Sequence, residues 1–281
     1  MNTPYPILDP RACVPKATRA GSCALAVMTK APRAGESKTR LVPPLTDEEA
    51  ARLSASFLSD TAANIAGACA ENSGGARTVD AVAAYTPVGA EAAFDALLPQ
   101  SFALLAQRGG SFGERLFHAA YDLFALGYES CCLINSDSPT LPRALLTAAI
   151  NQLQRPNDRI VLGASDDGGY YLIGMKRAHP RLFEEIAWST PEVLAQTIER
   201  AREITLDVAL LPAWYDVDEA STLRRLCAEM FDARQGDASP CNMTLAPYPA
   251  PHTRAELARL LEGDGRTRIY ADTLARGESA A

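Results

Sequence analysis

The chain has 281 residues, of which 47% are hydrophobic and 22% charged, and this composition excludes disordered and collagen-like proteins. Its net charge of −7 disfavours general binding to nucleic acid, and its apolar runs near the start are far shorter than a membrane-spanning helix. Seven cysteines without Cys-x-x-Cys spacing predict reduced thiols and no structural zinc. We therefore expect a cytoplasmic protein that binds neither nucleic acid nor membranes.

Strand-like and helix-like segments alternate through most of the chain. Short apolar runs predict strands at 23–29, 79–85, 101–106, 130–135, 159–163, 170–175 and 207–211. Helical periodicity and capping signals predict helices at 46–70, 90–98, 111–126, 142–154, 189–203 and 219–231. This order predicts β-α-β units and a mostly parallel α/β sheet, whose ligands bind beyond the carboxyl ends of the strands.

The pattern weakens at both ends of the chain. Residues 1–22 are predicted to be an N-terminal extension, and 23–231 the main domain. Residues 232–281 are predicted to be a C-terminal appendage with one helix at 253–261, preceded by linkers at 236–240 and 247–251.

A basic loop follows the first predicted strand. Residues 30–40 hold four basic side chains and one acidic one in a chain that is acidic overall. Pro32 and Gly35 predict a shaped loop, and its backbone amides and cations suit a di- or triphosphate. The loop lacks the glycine patterns of Walker and dinucleotide-binding motifs. The alternative is a solvated basic loop with no binding role.

Aspartates follow two other predicted strands. Asp137 ends the most apolar strand, where it could bind Mg²⁺ beside a polyphosphate or could only cap its own turn. Asp216 and Asp218 follow the last strand, and strand alternation places their side chains on one face. They would complete a Mg²⁺ site, although Asp218 could instead cap the next helix.

Two further segments are candidates for binding a substrate. The first consists of Asp166, Asp167, Gly168 and Gly169. Its acids could bind a metal or sugar hydroxyls, but Asp-Gly is also a strong signal for a tight hairpin. The second consists of Trp188, Ser189 and Thr190, which could contact an acceptor or could supply the cap of a helix.

Six motifs in one order resemble a known family. They are Lys30-x-Pro32-x-x-Gly35-x-x-Lys38-Thr39-Arg40-Leu41, Gly113-Glu114-Arg115, Ser136-Asp137-Ser138-Pro139, the segment 166–174, Trp188-Ser189-Thr190 and Asp216-Val217-Asp218. Over about residues 23–228 the chain resembles the bacterial glycosyltransferase-A-like family often labelled arsenosugar-biosynthesis-type glycosyltransferase, within the nucleotide-diphospho-sugar transferase superfamily. It is also partly similar to the guanylyltransferases that act on phospholactate or phosphoenolpyruvate.

The resemblance implies a fold and a set of site residues. The fold is a three-layer α/β nucleotide-binding transferase domain, with helices on both faces of a mostly parallel sheet. Asp137, with Asp216, Asp218 or both, would hold Mg²⁺ or Mn²⁺. The phosphates would be bound by the basic loop, through Lys30, Gly35, Lys38, Thr39 and Arg40.

These features favour a Mg²⁺-dependent nucleotidyltransferase. A phosphate or carboxylate oxygen of a small acceptor would attack the α-phosphorus of a nucleoside triphosphate and release pyrophosphate. Lys38, Arg40 and Asp137 are the predicted catalytic residues, which act by charge stabilisation rather than as a general base. The basic loop holds more cations than one diphosphate needs, and the segment 135–137 lacks the Asp-x-Asp pair of many sugar transferases.

Two alternatives remain open from the sequence. The first is a glycosyltransferase that uses a nucleotide-diphospho-sugar, with Asp166 or Asp167 on the sugar. The second is a non-catalytic nucleotide-binding partner protein, and a homodimer is compatible with all of these hypotheses.

Overall fold

The computed structural model describes residues 3–11, 19, 21–74, 78–232 and 245–278. The strands are β1 (Ile7–Leu8), β2 (Ser22–Lys30), β3 (Thr78–Thr86), β4 (Phe102–Ala106), β5 (Ser130–Ile134), β6 (Arg159–Ser165), β7 (Tyr170–Met175) and β8 (Asp207–Trp214). The helices are α1 (Asp47–Asn72), α2 (Phe112–Ala125), α3 (Arg143–Leu153), α4 (Val193–Glu203), α5 (Ala220–Phe231), α6 (Pro251–Glu262) and α7 (Gly265–Glu278). Over the described ranges, no helix is both long enough and apolar enough to cross a membrane.

The strands form one sheet in the order β1-β4-β3-β2-β5-β7-β6-β8. Neighbouring strands are parallel except at β7, which runs antiparallel to both β5 and β6. β6 and β7 therefore form the hairpin that Asp-Gly indicated in the sequence. The predicted mostly parallel α/β sheet is confirmed.

Helices cover both faces of the sheet, which makes the three layers that the resemblance implied. Along β2, Leu25 and Val27 belong to the core that includes residues of α1 and α3. Ala24 and Ala26 belong to the opposite core, which includes residues of α2 and α4. Because alternate side chains enter two different cores, the strand has an uninterrupted apolar sequence.

Two predicted helices are shorter than the sequence indicated. The segment 90–98 contains only a 3-10 turn at Glu91–Phe94, because a short segment between prolines cannot sustain a longer helix. α4 begins at Val193, and its N-cap is Glu192 rather than Ser189 or Thr190. Ser189 has a φ of 64°, which lies outside the right-handed helical region and keeps residues 188–190 in a loop.

Both ends of the chain contribute to this fold where they are described. Ile7 and Leu8, in the predicted N-terminal extension, pair with β4 as an edge strand. Two helices, α6 and α7, lie in the C-terminal segment where the sequence predicted one. The linker predicted at 236–240 lies outside the described residues, and residues 247–250 are irregular structure before α6.

The C-terminal helices pack on α1. Leu53 and Phe57 of α1 share a hydrophobic core with Leu257 and Leu260 of α6. Buried Asp60 of α1 accepts hydrogen bonds from the backbone N–H groups of His252 (3.1 Å) and Thr253 (2.7 Å), and so caps the start of α6. Burial raises the pKa of this carboxyl above its ordinary value.

Asp60→Ala should lower the free energy of unfolding by about 2 kcal/mol, because it leaves first-turn N–H groups of α6 without an acceptor. The two N–H groups donate to different oxygens of Asp60, so Asp60→Asn keeps only one of these hydrogen bonds while it removes a buried charge. We expect Asp60→Asn to lose about half as much stability as Asp60→Ala. Urea unfolding followed by circular dichroism measures both variants. Equal losses in the two variants would show that the charge, rather than the capping hydrogen bonds, holds α6.

Candidate active site

Three loops meet at the carboxyl edge of the sheet. The loop after β2 supplies Lys38, the loop after β5 supplies Asp137, and the loop after β8 supplies Asp216 and Asp218. β2, β5 and β8 point in the same direction, so their carboxyl ends share one edge. The N–H of Val217 donates a 2.9 Å hydrogen bond to the carbonyl of Asp137, which joins two of the loops directly.

Lys38 lies at the centre of this cluster. Its ammonium nitrogen is 2.5 Å from Asp137 Oδ1 and 2.7 Å from Asp218 Oδ1. It also donates a 2.9 Å hydrogen bond to the carbonyl oxygen of Val217. Since an ammonium has three N–H groups, these acceptors use all of them. In this conformation Lys38 has no donor left for the phosphate that the resemblance assigned to it.

The backbone of Lys38 is as unusual as its contacts. Its φ of 51° and ψ of 40° lie in the left-handed region, immediately before the 3-10 helix Thr39–Leu41. Residues with a Cβ atom rarely adopt this conformation, and such strain concentrates at functional sites. The side chain of Lys38, which extends from this strained backbone, is only 5% exposed.

The cluster carries more negative charge than one ammonium neutralises. Burial alone would lower the pKa of Lys38, but attraction by Asp137 and Asp218 outweighs burial and holds that pKa above its ordinary value. Burial raises the pKa of Asp137 against the opposing effect of Lys38. Burial, together with repulsion by Asp167, Asp218 and Asp137, raises the pKa of Asp216 to about 6. An additional cation would relieve this repulsion.

A cavity of about 360 Å³, the basic lobe, opens beside Lys38. The wall contains four basic side chains and three acidic ones, together with polar groups: Lys30, Lys38, Arg40, Arg115, Glu36, Asp137, Asp218, Ser37, Thr39, Thr86 and Gln107. Lys30 pairs with Glu36 at 3.0 Å, whereas neither Arg40 nor Arg115 takes part in an ion pair of the described residues. Gly35, with a φ of 74°, lies in the turn that shapes the loop and not in the wall. Arg40 and Arg115 are therefore the cations most available to phosphate.

A second cavity of about 460 Å³, the acidic lobe, shares Arg40, Asp137 and Asp218 with the first. Its acidic side chains are Asp137, Asp167, Asp216, Asp218 and Glu219, against the single basic side chain of Arg40. Much of the remaining wall is apolar or aromatic, and the Phe112 and Trp188 rings meet edge to face at 5.2 Å. Because carboxylates accept hydrogen bonds from hydroxyls, this lobe suits a neutral, hydroxyl-bearing group with an apolar face.

The β6–β7 hairpin divides the predicted substrate residues between two environments. Asp167 and Gly169 line the acidic lobe, together with all of residues 188–190. Asp166 does not line it, because its carboxylate accepts a 2.6 Å hydrogen bond from Arg225. Gly168 packs against the backbone of Pro191, which fixes the hairpin to the loop that carries Trp188.

Sequence reasoning did not assign several residues of the two lobes. Thr86 ends β3 and Gln107 follows β4. The rule that ligands bind beyond the carboxyl ends of the strands would therefore have indicated both residues, as it indicated Asp137. Arg115 lies in the Gly113-Glu114-Arg115 motif and lines the basic lobe. Phe112 lines both lobes and is 45% exposed. Hydrophobic periodicity does not predict an exposed aromatic side chain of this kind.

The chemistry of these carboxylates suits a divalent cation. Among the described residues, no three His, Cys, Asp or Glu side chains form a ready metal cluster. Mg²⁺ usually needs only one or two protein carboxylates, however, because water and phosphate supply its other ligands. The negative charge that remains beside Lys38 matches that requirement. Asp137, with Asp216 or Asp218, would hold the ion.

Comparison with known proteins agrees with the fold and indicates a family. The family described as "Uncharacterized protein conserved in bacteria (DUF2064)" matches residues 70–190. The chain is 30% identical to a protein of Desulfovibrio desulfuricans G20 whose name assigns it to the nucleotide-diphospho-sugar transferases. That similarity covers 89% of this chain and 96% of the other, with a TM-score of 0.70. No curated protein sequence matches the chain significantly.

Other solved structures are less similar. CMP:2-keto-3-deoxy-manno-octonic acid synthetase, complexed with CTP, is 11% identical over 74% of this chain and 98% of its own, with a TM-score of 0.46. 4-Diphosphocytidyl-2C-methyl-D-erythritol synthase from Anaerococcus prevotii is 11% identical over 76% and 98%, with a TM-score of 0.47. Similarities this low do not indicate an activity.

Proposed function

Because the chain belongs to the nucleotide-diphospho-sugar transferase family that the Desulfovibrio protein represents, we propose that this transferase is a nucleotidyltransferase. It would move a nucleoside monophosphate from a nucleoside triphosphate to a small phosphate- or carboxylate-bearing acceptor. The observation that supports the proposal is the pair of lobes that meet at Asp137 and Asp218, because one lobe contains four basic side chains and the other contains only one. Nucleotidyl transfer joins two reactants, and each lobe would receive one.

The reaction needs charge stabilisation more than proton transfer. An anionic oxygen of the acceptor forms a bond to the α-phosphorus, and the bond from that phosphorus to the bridging oxygen of the β-phosphate breaks. The electron pair leaves with pyrophosphate, and no proton has to be removed from the acceptor. Arg40 and Arg115 would stabilise the charge on the leaving group. Mg²⁺ at Asp137 would neutralise phosphate oxygens when it is bound.

The acidic lobe restricts the chemistry of the acceptor. Three of its acidic side chains, Asp167, Asp216 and Glu219, are not paired with Lys38 and repel an anion, so the charged group of the acceptor should lie at the border between the two lobes. The rest of the acceptor should be neutral and rich in hydroxyls, because it faces Asp167, Asp216 and the Trp188 ring. A phosphorylated sugar or polyol has this distribution of charge.

Glycosyl transfer from a nucleotide-diphospho-sugar is the second candidate. With Lys38 engaged by Asp137 and Asp218, the cations left in the basic lobe suit a diphosphate as well as a triphosphate. The carboxylates and aromatic rings of the acidic lobe would then bind the sugar that is to be transferred. The nucleotide-sugar alone would then occupy both lobes, so this reaction also requires room for its second reactant, the acceptor alcohol.

One assay separates the two candidates. The protein is incubated with Mg²⁺, each nucleoside triphosphate and a panel of sugar phosphates, and pyrophosphate is measured while mass spectrometry identifies the products. Pyrophosphate together with a nucleotide-linked product supports nucleotidyl transfer. Parallel reactions contain UDP-, GDP- or dTDP-sugars with alcohol acceptors. Glycosylated product in these reactions, without pyrophosphate in the first set, would replace the leading proposal by glycosyl transfer.

Arg40→Ala should weaken nucleotide binding by about 10- to 100-fold, the cost of losing one charge-assisted hydrogen bond to phosphate. Arg33→Ala is the matched control, since Arg33 belongs to the same loop but does not line the basic lobe. Calorimetric titration of both variants with a nucleoside triphosphate and Mg²⁺ measures the difference. Similar losses in both variants would mean that the loop attracts nucleotide only through its overall charge.

A further inference from the structure

Lys38 forms ion pairs with two of the carboxylates at which a metal ion would bind. We propose that Lys38 is a positioning residue whose ammonium serves as an internal counter-cation, which occupies the space between Asp137 and Asp218 and makes the metal-free cluster a weak site for divalent ions. Metal binding then depends on the phosphates of the nucleotide, which supply the ligands that the protein lacks.

The contacts of Lys38 are those of a bound cation. Its nitrogen lies 2.5 Å from one oxygen of Asp137 and 2.7 Å from one oxygen of Asp218, and the Val217 carbonyl completes the set at 2.9 Å. A cation that bridges the two carboxylates would have to compete with the ammonium for these oxygens. The Lys38 ammonium therefore blocks the most direct way in which Asp137 and Asp218 could share a metal ion.

Several features prevent the ammonium from leaving. The side chain is only 5% exposed, and its nitrogen lies 5.4 Å from the centre of the buried Phe57 ring. The backbone of Lys38 is held in the left-handed conformation by the turn that leads into Thr39. An ammonium that lost its two carboxylates at this buried position would be an unpaired buried charge, which is costly.

Two further carboxylates of the cluster are not paired with Lys38. Asp216 and Asp167 lie near enough to repel each other, and neither takes part in an ion pair of the described residues. One or two such carboxylates hold Mg²⁺ poorly on their own, because the ion keeps most of its water. Nucleotide phosphates in the neighbouring basic lobe would complete the coordination.

The inference rests on the proposed function only in placing the metal ion at these carboxylates. Its test uses neither nucleotide nor turnover. Transfer can therefore fail while this inference holds, and the inference can fail while transfer is intact.

The test is Mn²⁺ binding to Lys38→Met without nucleotide. Electron paramagnetic resonance should show Mn²⁺ bound about tenfold or more tightly than in the wild type, because a competing positive charge is gone. In EDTA the variant should unfold at a lower temperature than the wild type, and Mn²⁺ should restore most of that loss. The wild type should respond little to Mn²⁺.

Two control variants test whether the gain in Mn²⁺ affinity results from the loss of the Lys38 ammonium beside Asp137. Lys176→Met removes an ammonium that is bonded to the carbonyls of Arg155 and Asn157, at 2.9 Å each, and should leave Mn²⁺ binding unchanged. The double variant Lys38→Met, Asp137→Asn should lose the gain in affinity. The inference is overturned if Lys38→Met binds Mn²⁺ no more tightly than the wild type, or if it stays unfolded in the presence of Mn²⁺.

Discussion

Asp137→Asn should lower the rate of transfer by about a thousandfold while the protein stays folded. Asparagine has almost the same volume and still offers an oxygen to Lys38, but it lacks the charge that would hold the metal ion. Neutralisation of phosphate by a bound metal contributes several kcal/mol to the transition state, which corresponds to about three powers of ten in rate. Steady-state kinetics with saturating Mg²⁺ measures the effect, and circular dichroism verifies the fold.

Asp80→Asn is the matched control for this prediction. Asp80 is also partly buried, but it lies near the amino end of β3, where it accepts a 3.0 Å hydrogen bond from Tyr128. The same chemical change at that end of the sheet should leave kcat within about twofold of the wild type. If Asp137→Asn retained more than a tenth of the wild-type rate, Asp137 would not be the metal ligand that the mechanism requires.

Gly168→Ala should disturb both the stability of the protein and the acidic lobe. Gly168 has a φ of 89°, and an added Cβ would lie 2.6 Å from the Cα of Pro191 and closer still to its carbonyl oxygen. Backbone atoms cannot move away cheaply, so the loop that carries Trp188 must shift. We expect the free energy of unfolding to fall by about 2–4 kcal/mol, and the KM for the acceptor to rise about tenfold or more. Urea unfolding and steady-state kinetics measure these changes.

Gly89→Ala isolates the contribution of backbone strain. Gly89 has the same φ of 89°, but an added Cβ there meets nothing within 4 Å. Its replacement should therefore cost only about 1–2 kcal/mol of stability and leave the KM unchanged. Equal effects of the two substitutions on stability and KM would show that the contact with Pro191 has no role in shaping the acidic lobe.

Most of what the sequence could predict about the site follows from one rule, that ligands bind beyond the carboxyl ends of parallel strands. Alternation of buried runs with amphipathic helices determines strand direction, and strand direction brings the loops after β2, β5 and β8 to one edge. The rule thus placed Asp137, Asp216 and Asp218 near the basic loop. Such reasoning needs no side-chain contacts, which is why it works from the sequence alone.

The pairing of charges could not be predicted in this way. A motif with four basic residues suggests that each of them binds phosphate. The left-handed turn at Lys38 instead brings its side chain into contact with two aspartates. The two aspartates of the hairpin present the same difficulty. Asp166 and Asp167 are adjacent in sequence, but Asp166 binds Arg225 whereas Asp167 lines the acidic lobe. The backbone conformation of the turn determines this difference, and the sequence pattern does not show it.

Lys38 and Asp218 are 180 residues apart in the chain. Contacts of such long sequence separation form late in folding, because a large loop must close before they can be made. During synthesis on the ribosome, Lys38 emerges well before the strand that leads to Asp218, so the site cannot be complete until β8 has joined the sheet. Nucleotide binding would thus report that the nascent chain has finished folding through β8, and a translation-arrest series could time that step.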